Sequence, residues 1–199
     1  MGILIDEFSE VVTVGKRKFK TSASFDRVLL AQKVFKDDRL TSVDKLNTAL
    51  GLLVENHFLV KCLRTRDREE LLQAVYDTQV KVPDRPQVRK TSERVLDFDL
   101  DGEYIYASFM QAYGIELISE QGKLHWKKFF ALFDGLPDAT KIKQVMRIRS
   151  ADIPKPNKYN QEEIRNLTEL KSYYALPVVG GGGQEGVESL FSALERLAM

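Results

Sequence analysis

The sequence predicts a mainly α-helical protein: a helical bundle with a short N-terminal β-hairpin and a C-terminal helix on a Gly-rich linker. Three observations favour this class. Apolar residues recur at helical spacing through most of the chain. A valine-rich stretch around Gly15 is typical of a hairpin, and the run Gly180 to Gly183 precedes a last amphipathic segment. We therefore expect a helical domain over residues 1–176, with the linker and terminal helix over 177–199.

The first third of the chain predicts a hairpin followed by three helices. Residues 10–20 are expected to form the two strands. Ser24 is placed to cap a helix that runs to about Phe35, and Thr41 or Ser42 to cap a second helix. A third helix is expected to begin at Asp67. Residues 81–92 contain two prolines and show no periodicity, which indicates a loop.

Residues 97–135 predict two antiparallel amphipathic helices on which the rest of the chain packs. The first carries Ile105, Phe109, Ala112 and Tyr113 on one face, and the second carries Trp126, Phe129, Phe130 and Phe133. Ser119 to Gly122 separates them as a turn. Two further helices are expected over 139–149 and 161–175.

The last thirteen residues form a separate amphipathic pattern. Val187, Leu190, Phe191, Leu194 and Leu197 share one helical face, but so short a helix is marginal in isolation. Since residues 97–176 predict a closed set of helices, we expect this segment to dock on a second copy or on a partner. The flexible tether over 177–185 spans roughly 15–18 Å.

Composition argues against several classes of function. A net charge of +1 gives no bulk attraction to nucleic acid or to an anionic membrane. The apolar runs are far shorter than the roughly 20 residues of a membrane span, and the acidic first ten residues do not match a secretory signal. A single cysteine, Cys62, allows no internal disulfide and favours a reducing compartment.

The segment from Asp97 to Gly102 matches the first half of a calcium-binding loop, with carboxylates at positions 1, 3 and 5. Position 12 of such a loop requires a bidentate Glu, and this chain has Ser108 there. An acidic helix start is therefore the preferred interpretation. No metal, cofactor or catalytic residue is predicted.

The remaining polar groups give no stronger signal for chemistry. His57 and Cys62 are five residues apart, and a buried thiol near a helix end is a simpler interpretation than a catalytic pair. His125 is expected on a helix surface. The glycine run lacks the Gly-Lys-Ser/Thr ending of a phosphate loop. Basic clusters at 16–20, 85–94 and 141–158 are interpreted as offsetting the acidic stretch 97–120, with nucleic-acid binding as an alternative.

Several motifs resemble those of one phage family. They are the segments Asp97 to Leu117, Ile142 to Arg149 and Lys171 to Leu176, together with the residues Leu124-His125-Trp126. Together with the N-terminal hairpin, these motifs resemble the gene-product-fifteen family of long-tailed phages and prophages of Gram-positive hosts. The likeness extends over roughly residues 8–176, whereas the glycine linker and final helix depart from it.

The resemblance implies a protein of the tail-morphogenesis region, encoded just before the tape-measure protein. The expected function is non-enzymatic assistance of tail assembly, as a chaperone for the helical, aggregation-prone tape measure in the cytoplasm of the bacterial host. Alternatives are a structural tail or connector component of the virion and a nucleic-acid-binding factor. Self-association is a further expectation. The candidate partner-binding residues are Met110, Tyr113, Trp126, Phe129, Phe130, Phe133, Leu190, Phe191 and Leu194.

Overall fold

The computed structural model describes residues 8, 10–82 and 94–177 and confirms a mainly α-helical protein. The elements in chain order are β1 (Val11–Val14), β2 (Arg17–Lys20), α1 (Phe25–Lys36), α2 (Ser42–Leu53), α3 (His57–Lys61), α4 (Thr65–Val75), a π-helix (Tyr76–Val80), α5 (Gly102–Tyr113), α6 (Trp126–Asp134), α7 (Lys141–Ser150) and α8 (Gln161–Tyr173). No helix in this part of the chain combines the length and apolar character of a membrane span.

The chain divides into two compact units. Among the described residues, unit 1 contains 8, 10–82 and 118–134, and unit 2 contains 94–117 and 135–177. The predicted linker and terminal helix lie almost entirely outside the described residues, so the boundary at residue 176 stays a prediction. Most of the predicted loop over 81–92 also lies outside them.

Unit 1 begins with the predicted hairpin. β1 and β2 pair antiparallel, with Val12 opposite Phe19, and both of these side chains are buried. Because side chains alternate across a strand, Val11 and Lys20 lie on the exposed face. The buried face packs against α4. A two-stranded hairpin is not stable alone, so this contact with a helix stabilises it.

The helices of unit 1 follow the predictions with three differences. Thr41 caps α2 by accepting from the Asp44 N–H at 3.2 Å. Ser24 precedes α1 as expected, but its buried hydroxyl makes no hydrogen bond in the described part of the chain. The third predicted helix begins at Thr65 instead of Asp67. Its last turn widens into the π-helix, which the sequence did not predict.

Unit 2 is formed by α5, α7 and α8. α5 and α7 run antiparallel, because Asp101 contacts Arg149 near one end and Ser108 contacts Ile142 near the other. Gly114 ends α5 in a left-handed conformation with φ 65°, which favours glycine. α8 packs against α7 and has no buried residue.

The stretch 97–135 contains the two predicted helices and the turn between them, but the helices belong to different cores. α5 packs with α7 in unit 2, whereas α6 packs with α1 and the π-helix in unit 1. The expectation of one antiparallel pair at the centre of a single bundle is therefore corrected. Helical periodicity identifies an apolar face, but it does not identify the element that covers this face.

Candidate partner-binding surface

Three of the candidate partner-binding residues form the core of unit 1. Trp126, Phe129 and Phe133 are 0%, 1% and 5% exposed. The Trp126 indole N–H donates to the Val80 carbonyl at 3.0 Å, so the polar atom of this buried ring has a partner. Phe129 stacks on Phe25 with ring centroids 4.9 Å apart. These side chains hold α6 against α1 and the π-helix and present no surface to a partner.

Phe130 is less buried than these three residues. Phe130 is half-buried, with its ring centroid 5.8 Å from that of Trp126. Leu190, Phe191 and Leu194 lie outside the described residues.

Met110 and Tyr113 are the exposed members of the predicted set. They are 40% and 37% exposed on α5. Half-buried Tyr106 precedes them on the same side of the helix, because positions i, i+4 and i+7 align along a helix. We name Tyr106, Met110 and Tyr113 the α5 stripe. Tyr106 was not among the predicted residues, although its spacing from Met110 and Tyr113 places it on their side of the helix.

The buried side of α5 holds the stripe on a fixed support. Ile105, Ser108 and Phe109 are buried. The Ser108 hydroxyl donates to the Tyr104 carbonyl at 2.6 Å and accepts from the Ile142 N–H at 3.0 Å. Ile142 lies in the first turn of α7, where backbone N–H groups have no partner within the helix. Ser108 therefore satisfies one of these donors and fixes α5 against α7.

A buried ion pair joins the other ends of α5 and α7. The Arg149 guanidinium donates to both Asp101 carboxylate oxygens, at 2.6 and 2.8 Å. It also donates to the Val95 and Tyr174 carbonyls. Lys171 of α8 donates to the carbonyls of Arg149 and Ala151, at 2.8 and 2.7 Å. This network ties all three helices of unit 2 together.

The calcium-like segment uses its carboxylates in the same network. One Asp97 oxygen accepts from the Asp99 and Leu100 N–H groups, at 2.7 and 3.1 Å, and Asp97 also pairs with Arg94. Asp101 pairs with Arg149. Arg94 and Arg149 come from two of the basic clusters and offset acidic residues of this stretch. Within the described ranges, no group of three or more acidic, His or Cys side chains is placed to hold a metal ion.

Two predictions about individual side chains are corrected. Cys62 is exposed just after α3, not buried, because α3 is a short surface helix. His125 is half-buried: its ring stacks on Phe8 at 4.1 Å between centroids, and its Nδ1 accepts from the Lys127 N–H in the first turn of α6. Burial, and to a smaller extent the positive charges of Lys127 and Lys128, lowers the pKa of His125 to about 4.

A small cavity in unit 1 is not a substrate site. Its volume is about 10 Å³, and it lies among Val28, Ala31, Gln32, Leu53, Leu72, Tyr76 and Val80. Small-molecule sites usually have volumes of about 300–1,000 Å³, and a volume near 10 Å³ admits about one water molecule.

Comparison with known proteins identifies one family. The model of the family described as "Bacteriophage Gp15 protein" matches residues 4–176. No curated protein and no solved structure matches the chain. The family match confirms the resemblance of the motifs between Asp97 and Leu176 and covers well over half of the sequence. The chain therefore belongs to the Bacteriophage Gp15 protein family.

Proposed function

We propose that this protein is a non-enzymatic tail assembly protein that binds the phage tape-measure protein in the host cytoplasm and keeps it soluble before assembly. The observation that carries the proposal is the family match over residues 4–176. The structure supports it with a helical fold and with an apolar surface on a fixed helix.

The α5 stripe has the chemistry of a surface that binds helices. A Met side chain is flexible and adapts to differently shaped apolar partners, and Tyr offers a large apolar ring with a polar end. Tyr106 and Tyr113 are separated by seven residues, or about 10 Å along the helix axis. The stripe therefore matches about two turns of an amphipathic partner helix, which would contribute residues at i, i+3, i+4 and i+7.

The test is capture of the partner by the full chain. Tagged protein isolated from infected or induced cells should bring down the tape-measure protein, identified by mass spectrometry. The double variant Met110→Ser with Tyr113→Ser should lose most of this capture. Tyr159→Ser is the matched control, because Tyr159 is 92% exposed elsewhere in unit 2. Capture of a different tail protein, or equal capture by all three proteins, would contradict the proposal.

A chaperone leaves its client when assembly is complete, whereas a structural component stays in the particle. Purified virions should therefore contain little of this protein relative to the tape-measure protein. A fixed, near-stoichiometric amount in virions would favour a structural tail or connector component instead.

A further inference from the structure

Unit 1 presents an exposed apolar site on α3. Phe58 is 78% exposed and Leu59 is 40% exposed. The backbone beneath them is held by Arg68, which donates to the Val60 and Lys61 carbonyls, at 3.2 and 3.0 Å. The two apolar side chains therefore project from a fixed helix, a preorganised arrangement that lowers the entropic cost of binding.

Positive charge surrounds this site. No acidic residue occurs from Asn56 to Arg66. Lys61, one helical turn after Phe58, and Arg64 are both exposed, and neither forms an ion pair with any residue that the structure describes. We name Phe58, Leu59, Lys61 and Arg64 the α3 patch. A partner that fits it combines apolar groups with negative charge.

Unit 2 presents a surface of the opposite charge on α8. No residue of this helix is buried, and Leu170 and Tyr173 are 43% and 77% exposed. Glu162 and Glu163 are exposed in its first turn, and neither forms an ion pair within the part of the chain that the structure describes. Glu163 and Leu170 are seven residues apart, so they lie along one side of the helix. We name Glu162, Glu163, Leu170 and Tyr173 the α8 face.

The α3 patch and the α8 face match in composition and in order. Each combines two exposed apolar side chains with two charged side chains, and the charges have opposite signs. Along α3 the apolar residues precede the basic ones, whereas along α8 the acidic residues precede the apolar ones. An antiparallel arrangement therefore brings apolar groups onto apolar groups and opposite charges together. Every molecule carries both surfaces, so a second copy supplies the partner that each one fits.

We propose that the α3 patch of one molecule binds the α8 face of a second copy. The apolar pair of one surface packs on the apolar pair of the other, and the two glutamates face the two cations. Because the two surfaces differ, the contact is heterologous: a dimer keeps one unused copy of each surface, to which further molecules add. Both surfaces are small, so the association is weak and is strongest at low salt.

Mixing two variants of the full chain tests this contact. The patch variant carries Phe58→Ser with Leu59→Ser, and the face variant carries Leu170→Ser with Tyr173→Ser, so each keeps the surface that the other lacks. The measurement is sedimentation velocity of the purified proteins at low salt. Wild type should form dimers and larger species as its concentration rises. Each variant alone should stay monomeric, and an equal mixture of the two should form dimers and nothing larger.

The control is Met110→Ser with Tyr113→Ser, which should associate like wild type because the α5 stripe takes no part in this contact. A wild-type chain or a mixture that stays monomeric would overturn the proposal. Dimers of either variant alone, or loss of association in the control, would also overturn it, because they would place the contact on other surfaces. The tape-measure protein is absent from this experiment, so its result does not depend on the proposed function.

A charge exchange tests the polar part of the same contact. Lys61→Glu with Arg64→Glu should weaken self-association by about tenfold at low salt. Adding Glu162→Lys with Glu163→Lys to the same chain should restore it, because the signs are then reversed on both surfaces. If the first pair of substitutions has no effect, or the second pair fails to restore association, the proposed contact is wrong.

Discussion

The Trp126 side chain gives the most direct prediction for a single residue. It is fully buried in unit 1, and its indole N–H donates to the Val80 carbonyl. Trp126→Ala leaves a large cavity and a carbonyl without its donor, so we expect a loss of about 3–5 kcal/mol in the free energy of unfolding. Chemical denaturation of the full chain measures it.

The control for this substitution is Tyr159→Ala, because Tyr159 is 92% exposed. Its effect should stay within about 0.5 kcal/mol. A similarly small effect of Trp126→Ala would show that the indole is not part of the core and would return it to the candidate binding surface.

Removing one member of the buried Asp101–Arg149 pair should strongly destabilise the folded protein. Both side chains are buried, and Asp101→Ala would leave the guanidinium without its carboxylate. We expect this substitution to lower the free energy of unfolding by about 3–5 kcal/mol. Urea titration tests it, with exposed Asp152→Ala as the control. Equal stability of the two variants would contradict a structural role for the pair.

His125 should make stability depend on pH. Its pKa is about 4 in the folded protein and near 6.5 in the unfolded chain, so the unfolded chain binds the proton more tightly. The contribution of neutral His125 to the free energy of unfolding is therefore complete above about pH 6.5 and is lost as pH falls towards 4. Because the ring is partly exposed, solvent screening limits the loss to about 1–2 kcal/mol.

Urea titrations between pH 4.5 and 7.5 test this dependence. His125→Asn should reduce it, because an Asn oxygen can still accept from the Lys127 N–H but does not titrate in this range. His57→Gln, at an exposed position, should keep it. The same pH slope in both variants would assign the effect to other groups.

Sequence patterns identified many important residues but not their environments. The spacing of Trp126, Phe129 and Phe133 identified an apolar face, yet the same spacing suits a core and a binding groove. The Asp101–Arg149 pair could not be predicted, because 48 residues separate its members and each also suits a solvated surface. Cys62 and His125 were misplaced for the same reason: burial depends on neighbours distant in sequence.

Ser108 should behave as the capping group between two helices. Its hydroxyl accepts the Ile142 N–H, a donor with no partner within α7. Ser108→Ala removes this acceptor inside the core of unit 2, and we expect a loss of about 1–3 kcal/mol in the free energy of unfolding. Denaturant titration measures it. Exposed Ala107→Ser is the neighbouring control, with little change expected. An unchanged stability for Ser108→Ala would contradict the capping role.

The longer helices and the hairpin were predictable, whereas the short elements were not. α1, α2, α4, α5, α6, α7 and α8 follow from repeated apolar spacing and from end signals such as Thr41 and Gly114. α3 has five residues, too few to establish a period, and Arg68 holds it from α4. The π-helix continues the apolar pattern of α4, and its wider turn contains the Val80 carbonyl that Trp126 contacts.

At the scale of the molecule, the division into two units could not be predicted from local patterns. Residues 118–134 belong to unit 1 although they follow the first part of unit 2 in the chain. Their place depends on long-range contacts of α6 with α1 and the π-helix, which periodicity does not encode. Of the predicted partner-binding residues, Met110 and Tyr113 are exposed, whereas buried residues were grouped with them. Their role in binding stays a prediction.

Under the proposed function, this member of the Bacteriophage Gp15 protein family keeps the tape-measure protein soluble through the α5 stripe. The most direct measurement is the soluble fraction of the tape-measure protein when the two proteins are expressed together. We expect wild type and Tyr159→Ser to raise that fraction severalfold, and Met110→Ser with Tyr113→Ser to lose most of the increase. A soluble fraction that is the same with and without the full chain would contradict the proposed function.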